Sequence, residues 1–450
     1  MQSTGHRRHP HVFVSDDGSV RLPAECGWVT VPEIRGEPNS RPIELAYVRL
    51  FSTDPDPGPP IVLLEGGPGT PGIETAAWQP ARYTTYLDLG DVIAFDQRGT
   101  GLSRPNLTSP YRLDLPLDRE VTQEEYVDAF TVAAGKTVAF WREQGVDPRG
   151  YTTQESADDV ADLMSALGAP TFRTSGGSYG SHLSLSVIRR HGHRVERAYI
   201  AMVEGPDDTL KLPSASERHL SVLSDLAARA PELKGRVPDL KRLIRETLDN
   251  LKGRPVEVDG VVIGEFDVRA VTAGHMGSLP FLKQLPGHYL RMAGGDFSWL
   301  VDHVRGYRKE PMHNLMSLLM DCASGASPER LRRITDEAAD SLLGDSINLP
   351  FPAVCDALAG PSLDATFRTP VESEVAALFA SGALDGRTPP ENALAVQKGF
   401  PNSTHLLVRG AAHNSVHHLP QVRPLVGEFM AGLPLSTTEV ELDFHFDAID

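Results

Sequence analysis

The chain has 450 residues, and 43 Lys and Arg against 60 Asp and Glu give a formal charge of −17. That acidic balance argues against a general nucleic-acid binder and against docking on anionic membranes. With 40% hydrophobic and 23% charged residues, the chain can bury a large core, and a mostly disordered protein is excluded despite 40 Gly and 36 Pro. Length alone suggests about three domains. Cys26, Cys322 and Cys355 are too few for a disulfide scaffold, but they allow one bridge, and Cys322 with Cys355 is one pairing. No CxxC spacing suggests zinc, so neither a metal nor an organic cofactor is expected. No apolar run is long enough for a transmembrane helix. Residues 1–11 are polar and basic, unlike a secretory signal, which makes the cytoplasm the expected address.

In chain order, residues 41–50 alternate apolar and polar side chains, as a half-buried strand does. The apolar runs 61–64 and 91–95 suit buried parallel strands. Residues 153–167 place Ala157, Val160, Ala161, Met164 and Leu167 at helical spacing. A short strand at 171–174, a helix at 179–190 and a strand at 198–203 follow. Strands separated by helices predict a mostly parallel sheet with right-handed crossovers. The pattern changes over residues 205–369, where amphipathic helices are expected at 214–230, 239–251, 297–306, 312–322 and 328–343, with one hairpin at 256–263. Strand–helix alternation resumes at 375–380, continues with a helix at 391–399 and a strand at 404–408, and ends with a helix at 422–431. An alternating tail, 439–446, could add an edge strand. The expectation is a discontinuous α/β domain, residues 1–204 and 370–450, interrupted by a helical cap, residues 205–369.

Within this frame, Gly176-Gly177-Ser178-Tyr179-Gly180 forms a G-x-S-x-G between a strand and a helix. A sharp turn there lifts a serine hydroxyl above the sheet, and flanking glycines make room for its strained backbone. Glu65-Gly66-Gly67-Pro68-Gly69 follows the strand 61–64. Its glycines would let backbone N–H groups reach a developing oxyanion, with Gly67 and the amide of Tyr179 as the expected donors. The segment lacks the ending of a phosphate loop. A serine nucleophile needs a base and an orienting carboxylate, in the chain order Ser, Asp, His. His413 follows one late strand and Asp385 the strand before it, so they are the expected base and orienter. Asp356 and Asp364 compete but follow no clear strand, and His417 and His418 are read as rim residues.

Together these segments resemble the proline iminopeptidase and tripeptidyl aminopeptidase family of α/β-hydrolases. The resemblance also covers Asp96-Gln97-Arg98-Gly99-Thr100-Gly101-Leu102-Ser103, and Cys26-Gly27 followed by Val31-Pro32. It implies an α/β-hydrolase fold with an inserted helical cap. It also implies an acyl-enzyme on Ser178, with His413 as base then acid and Asp385 fixing its tautomer. In relatives, acidic cap groups bind the substrate's free α-amine. Two departures stand out: Glu65 replaces the His or Asn of many members, and Cys322 is preceded by Asp321 rather than followed by acids. Glu204, ending the strand 198–203, is the candidate amine binder, with Glu65 as a second candidate substrate contact.

Three activities fit these residues. The first is an exopeptidase acting on short peptides. The second is an esterase or lactonase using the same three side chains, and the third is a silent hydrolase serving as a binding module. The expected partner is therefore a small peptide or ester substrate, with no nucleic acid and no membrane. The sequence leaves residue specificity and oligomeric state open.

Overall fold

The computed structural model describes residues 5–413, 416 and 419–449. Ten strands form one sheet: β1 (His6–Val14), β2 (Arg21–Pro32), β3 (Pro42–Leu50), β4 (Gly58–Leu64), β5 (Gly90–Phe95), β6 (Phe172–Ser178), β7 (Val195–Val203), and, after the small hairpin β8 (Val256–Val258) and β9 (Val261–Ile263), β10 (Ala376–Gly382), β11 (Ser403–Arg409) and β12 (Glu439–Glu441). Their spatial order is β1-β2-β3-β5-β4-β6-β7-β10-β11-β12. The pairs from β1 to β5 are antiparallel, and all pairs from β5 through β4 to β12 are parallel. This is the mostly parallel sheet that the strand–helix alternation predicts. The hydrophobic runs explain why: Ile61–Leu64 and Val92–Phe95 are buried on both faces, as crossover-covered strands must be.

Two cores cover the sheet. On one face, Val62, Leu64, Ile93, Phe172 and Phe379 pack with helices Gln123–Glu143, Thr153–Ala166 and Tyr179–His191. On the other, Ile61, Leu63, Leu378 and Leu406 pack with Tyr83, Tyr86 and helix Arg423–Met430. A third core lies within the segment between β7 and β10, where helices Pro213–Arg229, Leu240–Leu251, Glu265–Gly274, Leu279–Ala293 and Val301–Arg308 enclose Leu220, Ile244, Leu285 and Tyr289. Helix Leu315–Ser324 comes from the same segment but buries Leu315, Met316, Leu319 and Met320 in the sheet's core. That helix therefore belongs to the sheet's core rather than to the third core.

Several elements differ from expectation. The helix Gln123–Glu143 was not foreseen, although Thr122 and Glu125 form a capping box at its start. Helices Glu265–Gly274 and Leu279–Ala293 were also missed; the second carries Pro286 in its interior. Strand β1 is polar and mostly exposed, with only Phe13 buried, so it has no alternating apolar face to read. The C-terminal tail forms a strand only over Glu439–Glu441. Beyond it Phe446 turns into the third core.

Candidate active site

Ser178 ends β6 and immediately precedes helix Tyr179–His191, at φ 55° and ψ −129°. A non-glycine residue holds such angles only where its surroundings over-determine them. The glycines around it show what those surroundings are. A Cβ on Gly176 would stand 2.3 Å from the Gly180 carbonyl oxygen, and one on Gly180 only 1.9 Å from that of Leu64. Both contacts are with backbone, so the G-x-S-x-G spacing is a steric requirement of packing the helix start against β4.

His413 and Asp385 arrive on the loops after β11 and β10. The two strands are adjacent, which carries both side chains to one end of the sheet. His413 Nε2 lies 3.0 Å from Ser178 Oγ, and His413 Nδ1 lies 2.8 Å from Asp385 Oδ2. Asp385 also accepts from the Arg387 and Thr388 amides, each at 2.8 Å, and from Thr388 Oγ1 at 2.7 Å. Burial would raise the Asp385 carboxyl, but His413 and the Thr388 hydrogen bonds outweigh it and hold the group below its usual range. An ionised, buried carboxylate fixes the imidazole so that Nε2 faces the hydroxyl. Such a chain can take a proton from serine and return it to a leaving group. Thr388 escaped the sequence reading, although Asp-x-x-Thr before a proline-led helix is a recognisable local bonding pattern.

Gly66 and Gly67 follow β4, the neighbour of β6, and so lie beside the elbow. A Cβ on Gly66 would stand 3.3 Å from Ser178 Cβ and 3.8 Å from the Tyr179 nitrogen, and Gly67 holds φ +107°. Gly66 thus lies against the serine, and the expected donor Gly67 lines the same cavity as Ser178. Glu65 lines the same cavity with its carboxylate already paired: Arg82 Nη1 donates to it at 2.7 Å, and the Tyr83 hydroxyl donates to the other oxygen. Gln97 Nε2 holds the Glu65 carbonyl at 3.0 Å. The Asp-Gln-Arg segment is scaffolding here, since Arg98 is fully buried on Asp159 at 2.6 and 2.7 Å.

Ser178, His413, Gly66, Gly67 and Arg387 line a cavity of about 640 Å³. A second cavity, about 320 Å³, shares Gly67 and Arg387 with it and is also lined by Lys211, Ser317 and Asp321. Glu204 is buried nearby and paired: Lys211 Nζ donates to it at 2.6 Å. Burial favours the neutral acid, yet the Lys211 charge wins and lowers the Glu204 carboxyl. Asp321 shows the opposite balance. Burial first, then the Glu204 charge, push its carboxyl well above the carboxylate range. Among the described residues no hydrogen bond or ion pair engages that carboxylate. Asp356 and Asp364 contribute to neither cavity, and Asp364 caps the turn Ala365–Arg368 instead. His417 and His418 lie outside the described residues.

Other features were hidden from the sequence. Gly277, in the loop between helices Glu265–Gly274 and Leu279–Ala293, has room for no side chain, because a Cβ there would stand 2.8 Å from His413 Cβ. Beneath the elbow, His182 bridges the Gly205 carbonyl at 3.1 Å and Ser324 Oγ at 3.2 Å, while Thr153 links Ser324 to the Tyr179 hydroxyl. Cys322 and Cys355 are joined in a disulfide, which ties helix Leu315–Ser324 to helix Val354–Leu358. Among the described residues no group of three or more His, Cys, Asp or Glu is placed to hold a metal, and no helix is long and apolar enough to cross a membrane.

The family model described as "alpha/beta hydrolase fold" matches residues 59–247, and the one described as "TAP-like protein" matches residues 345–437. With this sheet and these two matches, the chain has the α/β-hydrolase fold, and its resemblance to the tripeptidyl aminopeptidase family holds. Among curated proteins it is similar to tripeptidyl aminopeptidases of Streptomyces coelicolor and Streptomyces lividans, each 26% identical over 203 residues. Those matches span 42% of this chain and 37% of each relative's length. Among solved structures it is similar to a proline iminopeptidase-related protein from Thermus thermophilus, with 18% identity, TM-score 0.42, and 94% and 98% of the two chains covered. The proline iminopeptidase of Mycobacterium smegmatis gives 16% identity, TM-score 0.41, and 90% and 98% coverage.

Proposed function

We propose that this protein is a serine hydrolase that releases short N-terminal segments from peptides through an acyl-enzyme. The observation that carries the reading is the hydrogen-bonded chain from Ser178 through His413 to Asp385, opening into a cavity. In this reading Ser178 attacks the scissile carbonyl as His413 takes its proton. The N–H groups of Gly67 and Tyr179 hold the oxyanion, and His413 returns the proton to the leaving amine. Water then repeats the sequence on the ester. Residues 205–369 act as a cap that screens out folded chains.

Free-amine selection falls to Asp321 rather than to the Glu204 and Glu65 expected from the sequence, because those two carboxylates already hold Lys211 and Arg82. An incoming ammonium would favour the charged form of Asp321, which burial disfavours. The tripeptidyl aminopeptidase relatives support a peptide substrate. The prior pairing of Glu204 and Glu65 favours the second reading, a carboxylesterase or lactonase with the same three residues. The Cys322–Cys355 bond supports an oxidising compartment over the cytoplasmic address expected from the sequence.

A substrate panel separates the readings. Alanyl, prolyl and tripeptidyl p-nitroanilides with free amines should be cleaved, their N-acetylated counterparts should not, and Asp321→Asn should lose the difference. Turnover confined to p-nitrophenyl esters would overturn the peptidase reading and leave the esterase one.

A further inference from the structure

Arg387 stands where the two cavities meet, two residues beyond Asp385. Its backbone amide is spent on Asp385, but among the described residues no hydrogen bond or ion pair engages its guanidinium. Gly277 lies against it: a Cβ there would stand 2.9 Å from Arg387 Cδ, so that glycine leaves the space through which the side chain runs. Arg387 is half-buried, and the planar fork of a guanidinium fits a carboxylate.

The charges around it point the same way. Lys211 is matched by Glu204. Burial pushes the Asp321 carboxyl up, which disfavours its charged form. Arg387 thus feels Glu204 and Asp321 only at a distance, and neither carboxylate is in hydrogen-bond contact with its guanidinium. A substrate whose acyl part reaches from Ser178 past Gly67 into the second cavity must pass it.

We infer that Arg387 selects substrates whose acyl part carries a carboxylate, paired to its guanidinium at the junction of the two cavities. Such a substrate is an acidic peptide segment in the peptidase reading, or a dicarboxylic half-ester in the esterase reading. The inference rests on the serine hydrolase proposed above, but not on the choice between peptide and ester.

The test measures kcat/KM on two matched pairs: the p-nitroanilides of Ala-Glu-Ala and Ala-Gln-Ala, and p-nitrophenyl hemiglutarate and valerate. In whichever class is turned over, the wild type should prefer the carboxylated member by about tenfold or more, since hydrogen bonds to charged groups carry that much discrimination. Arg387→Gln should erase the preference, and Arg387→Lys, which keeps the charge without the fork, should retain part of it. A wild-type ratio near one, or an equal loss on both members in Arg387→Gln, overturns the inference. The second outcome would mean that Arg387 only offsets the charge of Glu204. Absence of anilide turnover with a preserved hemiglutarate preference would defeat the peptidase reading alone. Should neither class react, calorimetric titration with glutarate decides. Binding by the wild type and not by folded Arg387→Gln supports the pairing, and no binding by the wild type refutes it.

Discussion

Gly277→Ala is the mutation whose consequence can be worked furthest from the structure. The added Cβ would stand 2.8 Å from His413 Cβ, where two carbons settle at about 3.5–4.0 Å. The neighbours must therefore part by about 1 Å. Arg387 can swing its Cδ aside, but His413 Cβ is one bond from the backbone and carries the ring with it. The 3.0 Å link from His413 Nε2 to Ser178 Oγ would stretch beyond hydrogen-bond range. A misplacement of about 1 Å in a reacting pair can lower the rate about 100-fold, or about 2.7 kcal/mol of barrier. The assay is kcat on a p-nitrophenyl ester, normalised to folded protein by circular dichroism. Gly306→Ala, where a Cβ meets nothing within 4 Å, is the control and should leave kcat unchanged. If Gly277→Ala keeps kcat within threefold of the wild type, the loop yields freely, and the idea that it clamps His413 is wrong.

Two further outcomes concern stability. Burial pushes His219 down to about 4, against the opposing influence of Asp385. The fold thus holds the neutral imidazole, while the unfolded chain protonates below about pH 6.5. The stability this contributes is present above that pH and is lost progressively as pH falls from there to about 4, with a ceiling of roughly 3 kcal/mol. The melting temperature of His219→Gln should therefore fall less steeply than that of the wild type between pH 6.5 and 4; parallel curves would contradict the assignment. Separately, Cys322→Ser opens a loop spanning 33 residues, which should cost about 3–4 kcal/mol on the chain-entropy account. The same fall in melting temperature should appear when the wild type is treated with dithiothreitol, and a variant that melts with the wild type would remove the bridge's structural role.

The sequence revealed the parts of the site that are written in contiguous residues. The elbow could be read because Gly176 and Gly180 each answer to a backbone contact that a side chain would not tolerate. Asp385 and His413 could be read because both follow strands whose apolar runs are unmistakable. What stayed hidden depends on pairings across the fold. Nothing local says that Lys211 occupies Glu204, that Arg82 occupies Glu65, or that Gly277 leans on His413. Asp321 reaches the second cavity only because helix Leu315–Ser324 joins the sheet's core instead of the third core. The missed strand β1 shows a related limit, since a polar edge strand is specified by its partner's backbone and not by its own side chains.

The most direct measurement is intact-protein mass spectrometry after treatment with a fluorophosphonate, followed by peptide mapping. The account predicts one adduct, on Ser178, formed quickly by the wild type, far more slowly by folded His413→Gln, and never by Ser178→Ala. An unlabelled wild type, an adduct on another serine, or labelling indifferent to His413 would contradict the claim that Ser178 is activated by His413.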